Sequence, residues 1–188
     1  MLSAAQRVPP LSPGAVGLIA AVARDRAIGR GGTIPWHVPE DRAFFAELTT
    51  PGVQICGRIV WGEGQAHRLD ADPARQWVVV SRSQGFSGPR VRTVRTVADA
   101  LATARRLAAA QAWPIWGLGG AQLYAEMLPW AARLYLTLLE TEVPDADRHF
   151  PPWQQTHDKK VMELSGRGVR PSYRFTVWEK TRHKFSSS

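Results

Sequence analysis

One aspartate, Asp41, has the clearest potential for chemistry in this sequence, because it lies at the start of a predicted helix above an apolar stripe. Asp41, Phe45 and Leu48 fall at i, i+4 and i+7, so they share one helix face. Glu40 points about 100° away and is expected to face water. A carboxylate above apolar side chains in a cleft has a raised pKa and can exchange a proton near neutral pH. The alternative is that Asp41 only complements the helix dipole.

The segment before this acid, IGRGGTIPWHVPED over residues 28–41, is typical of a hinged loop that leads into a helix. Its three glycines leave the backbone free to adopt positive φ. Pro39 suits the first helical turn, where its missing N–H is not needed. The acid is therefore expected to lie beside a movable loop.

Basic and hydroxyl side chains follow two short apolar runs that are predicted to be buried strands. Gly57 and Arg58 come directly after the run over residues 53–56. Ser81 and Arg82 follow the run WVVV in the same way. Open α/β sheets bind ligands at the carboxyl ends of their strands, so these groups favour an anionic ligand. By itself this signal is weak, since Arg58 could simply be solvated.

A glycine cluster in the sequence PIWGLGGAQLY, residues 114–124, lies between a predicted strand and a predicted helix. The N–H groups exposed there could hold a pyrophosphate, although a tight packing turn would use the same glycines. Thr137 stands out because it is a polar residue within the apolar strand LYLTLL.

The elements that must position these residues alternate between apolar runs of strand length and helical patterns. Such alternation favours an α/β fold with a central, mostly parallel twisted sheet, which ends in an antiparallel hairpin around residues 166–171. Strands are predicted at residues 16–23, 53–56, 77–80, 91–94 and 134–139 and before the glycine cluster; helices are predicted from residue 39, behind Arg58, over 97–110 and after the glycine cluster.

Composition limits the class of protein. The chain of 188 residues is 44% hydrophobic and 21% charged, as expected for one soluble globular domain. No apolar run approaches the roughly 20 residues that a membrane span needs. The single cysteine, Cys56, excludes an internal disulfide, is expected to be buried and fits the cytoplasm. We predict a flexible leader over residues 1–15, one domain over 16–182 and a disordered tail over 183–188.

The net charge of +8 could indicate a nucleic-acid partner. However, the basic residues are scattered, and those near the C-terminus alternate with apolar residues as on the solvated face of a sheet. We therefore expect no nucleic-acid or membrane partner and no metal, and we expect a monomer.

Four motifs in this order resemble the dihydrofolate reductase family, and the resemblance covers about residues 16–182. They are the IG…PWH.PED…F stretch already described, GRIVW at residues 57–61, LGGAQLY at 118–124 and LYLT…D..FP ending at Pro151. The resemblance implies about eight strands and four helices. It also implies NADPH-dependent reduction of 7,8-dihydrofolate to tetrahydrofolate, with dihydrofolate and antifolates as ligands.

The resemblance also assigns roles to individual residues. Asp41 would bind the pterin and assist protonation at N5, supported by Thr137, while Tyr124 would lie near the hydride-transfer site. Arg75 would pair with the carboxylate of the glutamate tail. The implied substrate contacts are Ile19, Asp41, Phe45, Arg75, Leu118 and Thr137. The implied cofactor contacts are Ala21, Ile28, Ile34, Gly57, Arg58, Val60, Ser81, Arg82, Gly119, Gly120, Ala121 and Gln122, with a cis peptide expected at the glycine pair.

Four departures from the family pattern concern the substrate and cofactor pockets. Val60 stands where threonine is usual, and Arg42 follows Asp41 where an apolar or neutral residue is usual. Gln122 stands where some relatives have an arginine, and the segment 62–75 before Arg75 is longer than in the family. These departures leave open a related pterin or pyrimidine reductase with a changed substrate.

Two further alternatives differ in class. One is a non-enzymatic paralogue that binds NADPH or RNA through the net positive charge. The other is a Rossmann dehydrogenase, in which Glu140 or Glu142 would bind the ribose about 20 residues after the glycines. The glycine cluster comes late in the chain without a paired mononucleotide-binding half, which disfavours the dehydrogenase.

Overall fold

The computed structural model describes residues 3–66, 68–166 and 171–181, which form an α/β fold. The strands are β1 (Val16–Val22), β2 (Ala27–Gly29), β3 (Gly52–Gly57), β4 (Arg75–Val80), β5 (Val91–Val94), β6 (Ile115–Gly117), β7 (Arg133–Leu139), β8 (Arg148–His149), β9 (Lys159–Ser165) and β10 (Tyr173–Glu179). The helices are α1 (Pro39–Leu48), α2 (Arg58–Ala66), α3 (Val97–Gln111) and α4 (Ala121–Met127).

Eight of the strands form one sheet in the order β5-β4-β3-β6-β1-β7-β10-β9. Every neighbouring pair from β5 to β7 is parallel, whereas β10 is antiparallel to both β7 and β9. The predicted fold class, a mostly parallel sheet with an antiparallel C-terminal hairpin and about four helices, is therefore confirmed. Residues 167–170, where the hairpin turn was expected, and the predicted tail lie outside the described residues.

Both faces of the sheet are buried, which explains why the central strands read as continuous apolar runs. Along β1, Leu18 and Val22 pack into the core under α3 and α4, while Ile19 packs into the core under α1 and α2. Neighbouring residues of a strand point to opposite faces. The strand β7, which pairs with β1, alternates in the same way.

Some elements differ from the sequence predictions because they are too short, or too far from their partners, to leave a local pattern. Strands β2 and β8 pair in a separate antiparallel ribbon where loops were expected. Strand β4 begins at Arg75 and not at Trp77. None of the helices in the described part of the chain has the length and apolarity that a bilayer crossing needs.

The segment before β1, predicted as a flexible leader, instead packs against the sheet from residue 3 onward. Val8 and Leu11 are buried in the core under α1. The hydroxyl of Tyr135 in β7 donates to the carbonyl of Pro9 at 3.0 Å. A Cβ added at Gly17 of β1 would lie 2.8 Å from a Leu11 methyl carbon, so a larger residue there would force this side chain to shift. We call residues 3–15 the N-terminal strap.

We predict that Leu11→Ala lowers the free energy of unfolding by about 2 kcal/mol, because it removes buried methyl groups and leaves a cavity. Urea denaturation with an unchanged slope measures this difference. The exposed Ser12→Ala is the matched control and should be neutral. Equal stability of the two variants would mean that the strap is not docked in solution.

Candidate active site

The candidate site lies at the carboxyl edge of the parallel strands, on the side that α1 covers. Gly57 ends β3 beside Val80, the last residue of β4. Strand β6 ends between β3 and β1. The loops that follow these strands therefore meet at one edge, as expected for the ligand crevice of an open α/β sheet.

Helix α1 places Asp41 at this edge. The helix begins at Pro39 without a side-chain cap at Val38. Phe44 is 3% exposed and stacks on Phe175 of β10, with ring centroids 4.2 Å apart. This stacking anchors the helix to the sheet and leaves Asp41, one turn earlier, half-buried. Phe44 was not among the predicted site residues, although its i+3 spacing from Asp41 was a usable signal.

Burial raises the pKa of Asp41 above its usual value of 3.8. A hydrogen bond with the Thr137 side chain and the positive charge of Arg42 both oppose this shift but are the smaller effects. Thr137 is 1% exposed and lies in β7 between Ala21 of β1 and Phe175 of β10. The structure thus brings the two residues that were predicted to act together into contact, on the sheet face that α1 covers.

Tyr124 of α4 lies at the same edge but is held by the protein. Its hydroxyl donates to the carbonyl of Ile19 at 2.6 Å, and burial, with the charge of Asp41 as a smaller cause, raises its pKa. A Cβ added at Gly119 would lie 2.5 Å from the Tyr124 ring, and Gly119 has φ +94°, so this position requires glycine. The tyrosine therefore ties α4 to the middle of β1.

The glycine pair forms an open backbone surface at the same edge as Asp41. The peptide between Gly119 and Gly120 is cis, as expected. The N–H of Gly57 donates to the Gly119 carbonyl at 2.8 Å, which joins the ends of β3 and β6. A Cβ at Gly120 would meet nothing within 4 Å, and no side chain caps α4. The space beside Gly120 is therefore open, and the first N–H groups of α4 have no side-chain acceptor at the N-cap.

The predicted anion-binding side chains lie at the ends of adjacent strands. Arg58 and Arg82 are exposed, and they follow the ends of β3 and β4, which pair with each other. Ser81 is 8% exposed, and its hydroxyl accepts from the Gln84 N–H at 3.1 Å, which leaves its own O–H free to donate elsewhere. Gln122 instead donates to Glu126 of its own helix at 2.9 Å.

Arg75, the predicted tail-binding residue, is 1% exposed. Its guanidinium donates to the Asp72 carboxylate at 3.2 Å, the Thr49 hydroxyl at 2.9 Å and the Ala46 carbonyl at 3.0 Å. It also lies over the ring of Phe45, 5.9 Å from the centroid. The predicted substrate contacts thus include an arginine that already has three protein partners.

The other predicted contacts separate into two groups. Ile19 and Leu118 are buried and, with Ala21 and Val60, belong to the core under α1 and α2. By contrast, Ile34 is 54% exposed on the loop before α1, and Ile28 packs with the core on the α3 side. The structure therefore does not bring Ile34 against the rest of the site.

One further residue, Trp36, was missed by the sequence analysis. Its indole N–H is buried and lacks a hydrogen-bond partner within the described residues. The indoles of Trp61, Trp77, Trp116 and Trp153 share this state, so it is the place of Trp36 directly before α1 that makes it a candidate. The signal available in the sequence was its place in the PWH segment, directly before the acid-bearing helix.

Comparisons with known proteins agree with this geometry. The family model for dihydrofolate reductase matches residues 15–182. Dihydrofolate reductase of Mycobacterium tuberculosis is 36% identical over 162 residues, which is 86% of this chain and 89% of that protein. The enzyme of Neisseria meningitidis serogroup B is 34% identical over 160 residues, 83% of this chain and 93% of that protein.

A solved structure supports the fold independently. It is dihydrofolate reductase from Enterococcus faecalis complexed with NADP(H) and RAB-propyl, with a TM-score of 0.75 and 23% identity. The match covers 90% of this chain and 98% of that chain. The chain belongs to the dihydrofolate reductase family of NADPH-dependent oxidoreductases.

Proposed function

We propose that this protein reduces 7,8-dihydrofolate to 5,6,7,8-tetrahydrofolate with NADPH, and that Asp41 is its catalytic acid. The observation that supports this most is the carboxyl group of Asp41, whose pKa is raised by burial and which interacts with the Thr137 side chain. A carboxyl group whose pKa is raised keeps its proton to a higher pH than an ordinary aspartate does, so it can serve as an acid.

On the substrate side, Asp41 accepts hydrogen bonds from the ring N–H and the 2-amino group of the pterin. Thr137 orients the carboxylate through their hydrogen bond. The raised pKa favours the state in which Asp41 and the bound pterin together retain an extra proton, which assists protonation at N5. Phe45 and Ile19 provide apolar contacts for the ring and its extension.

On the cofactor side, NADPH supplies the hydride that reaches C6 of the pterin. The open backbone at Gly120 and Ala121 suits the pyrophosphate, because a Cβ at Gly120 would meet nothing and the helix start has no side-chain cap. Arg58, Ser81 and Arg82 suit the 2′-phosphate, because guanidinium and hydroxyl groups donate to phosphate oxygens. Tyr124 holds α4 against β1 through its hydrogen bond to the Ile19 carbonyl, which would keep the two elements in place around the bound cofactor.

A related reductase with a changed substrate remains the second candidate. It is favoured by Arg75, because the arginine proposed to bind the substrate tail is buried and paired with Asp72. The diaminopyrimidine antifolates distinguish the two candidates, because they need a buried acid where the pterin binds. Competitive inhibition against dihydrofolate supports the folate assignment.

We predict that Asp41→Asn lowers turnover at least about a hundredfold, because the amide cannot supply the proton. NADPH oxidation followed at 340 nm measures the rate. The neighbouring Glu40→Gln removes the same charge from an exposed site and is the matched control. Because the folded state disfavours the ionised Asp41, the Asn variant should be at least as stable as the wild type at pH 7. Turnover within a few-fold of wild type would contradict the catalytic role.

The pH dependence of turnover follows from the raised pKa of Asp41. The protonated form of Asp41 is fully present below this pKa and is lost as pH rises through it. The pH profile of the hydride-transfer rate should therefore have a limb that falls as pH rises. Single-turnover rates between about pH 5 and pH 9 measure it. The limb should be absent from Asp41→Asn, and the same limb in both proteins would assign it to another group.

We predict that Arg82→Gln raises the KM for NADPH about tenfold and changes the KM for NADH little, because only NADPH carries the 2′-phosphate. Steady-state kinetics with each cofactor give this ratio. The matched control is Arg105→Gln, on the far helix α3, where the guanidinium lies over Trp130. Equal effects on both cofactors would place Arg82 outside the phosphate site.

A further inference from the structure

Asp72 forms an ion pair with Arg75, the residue proposed to bind the tail of the substrate. Its carboxylate accepts from the Arg75 Nε–H at 3.2 Å. The other two protein partners of this guanidinium, the Thr49 hydroxyl and the Ala46 carbonyl, are both neutral. Among the acceptors that the described residues provide to Arg75, Asp72 is therefore the one that carries a charge.

Burial makes this pairing important for the charge that a ligand would meet. The Arg75 side chain is only 2% exposed, whereas that of Asp72 is 34% exposed. Burial lowers the pKa of Arg75, and the hydrogen bond and charge of Asp72 oppose that shift. A buried guanidinium without a counter-ion is costly, so Asp72 stabilises Arg75 while no ligand is bound.

The loop holds Asp72 in this position. Its second carboxylate oxygen accepts from the Ala74 N–H at 2.9 Å. The Arg75 N–H donates back to the Asp72 carbonyl at 3.2 Å. Arg90 donates to the carbonyl of Ala71 at 3.1 Å, which fixes the preceding residue. The carboxylate therefore stays beside the guanidinium.

Three of the five N–H groups of Arg75 have protein acceptors. A carboxylate that arrives with a substrate must use the other two and share the guanidinium with Asp72, or displace it. Sharing places two negative charges around one positive charge, and displacement breaks an existing ion pair. Either event lowers the affinity for an anionic tail.

We propose that Asp72 determines specificity by competing with the substrate's tail carboxylate for Arg75. The wild-type enzyme then discriminates weakly between dihydropterins that carry an anionic tail and those that do not. This inference rests on the proposed function, because it takes the Arg75 region as the place where the tail binds.

The test compares KM values for dihydrofolate and for 6-methyl-7,8-dihydropterin, which has no tail. In Asp72→Asn, the amide oxygen still accepts from the Ala74 N–H while the charge is gone. We expect the KM for dihydrofolate to fall about tenfold and the KM for the tail-less pterin to stay unchanged. The control is Asp70→Asn, since Asp70 lies on the same loop and is not an acceptor for Arg75.

Two results would overturn the proposal. One is a KM for dihydrofolate that stays the same or rises in a folded Asp72→Asn variant. The other needs only the wild type: a preference for dihydrofolate over the tail-less pterin of about a hundredfold or more would show that Arg75 already binds the tail at full strength.

Calorimetry with p-aminobenzoylglutamate separates this proposal from the proposed function. If no protein turns over either pterin, the proposed function fails. Tighter binding of this tail fragment by Asp72→Asn than by the wild type still supports competition at Arg75. Equal or weaker binding by the variant rejects it.

Discussion

Burial of the Asp41 carboxyl group is the constraint on which the rest of the site depends. The fold keeps this group where its charge is disfavoured, so other contacts must hold α1 in place. The stacking of Phe44 on Phe175 supplies such a contact, and Thr137 gives the carboxylate a partner. The apolar packing of Phe44 thus stabilises the helix, while Asp41, one turn earlier, remains available for chemistry.

The edge of the sheet combines this acid with a surface of different character. In the proposed assignment, the cofactor side consists of backbone N–H groups and exposed guanidinium groups, which need little burial because a charged ligand can supply the missing partner. On the acid side, burial removes water from the Asp41 carboxyl group and disfavours its charged form. Parallel strands bring both to one edge, since the carboxyl ends of β3, β4, β6 and β1 lie together.

Local patterns in the sequence were enough to predict the sheet, the helix that carries Asp41 and the residues at the strand ends. They were insufficient wherever a residue's state depends on a distant partner. Leu11 reads as part of a flexible leader, yet it is buried because Gly17 leaves room for it. Arg75 reads as an open cation, yet its guanidinium is buried against Ala46 and Thr49 at the end of α1. Strand β8, two residues long, has no period to detect.

The N-terminal strap also constrains the order in which the chain can fold. Pro9 and Tyr135, which are joined by a hydrogen bond, are 126 residues apart, and Arg133 near Tyr135 pairs with Glu179 of β10. Contacts of such separation form only after the intervening chain has closed, so they favour late steps of folding. During synthesis, residues 3–15 leave the ribosome long before β7 exists. The strap can therefore complete its docking only after β7 has been made, although it precedes every strand of the sheet in the chain.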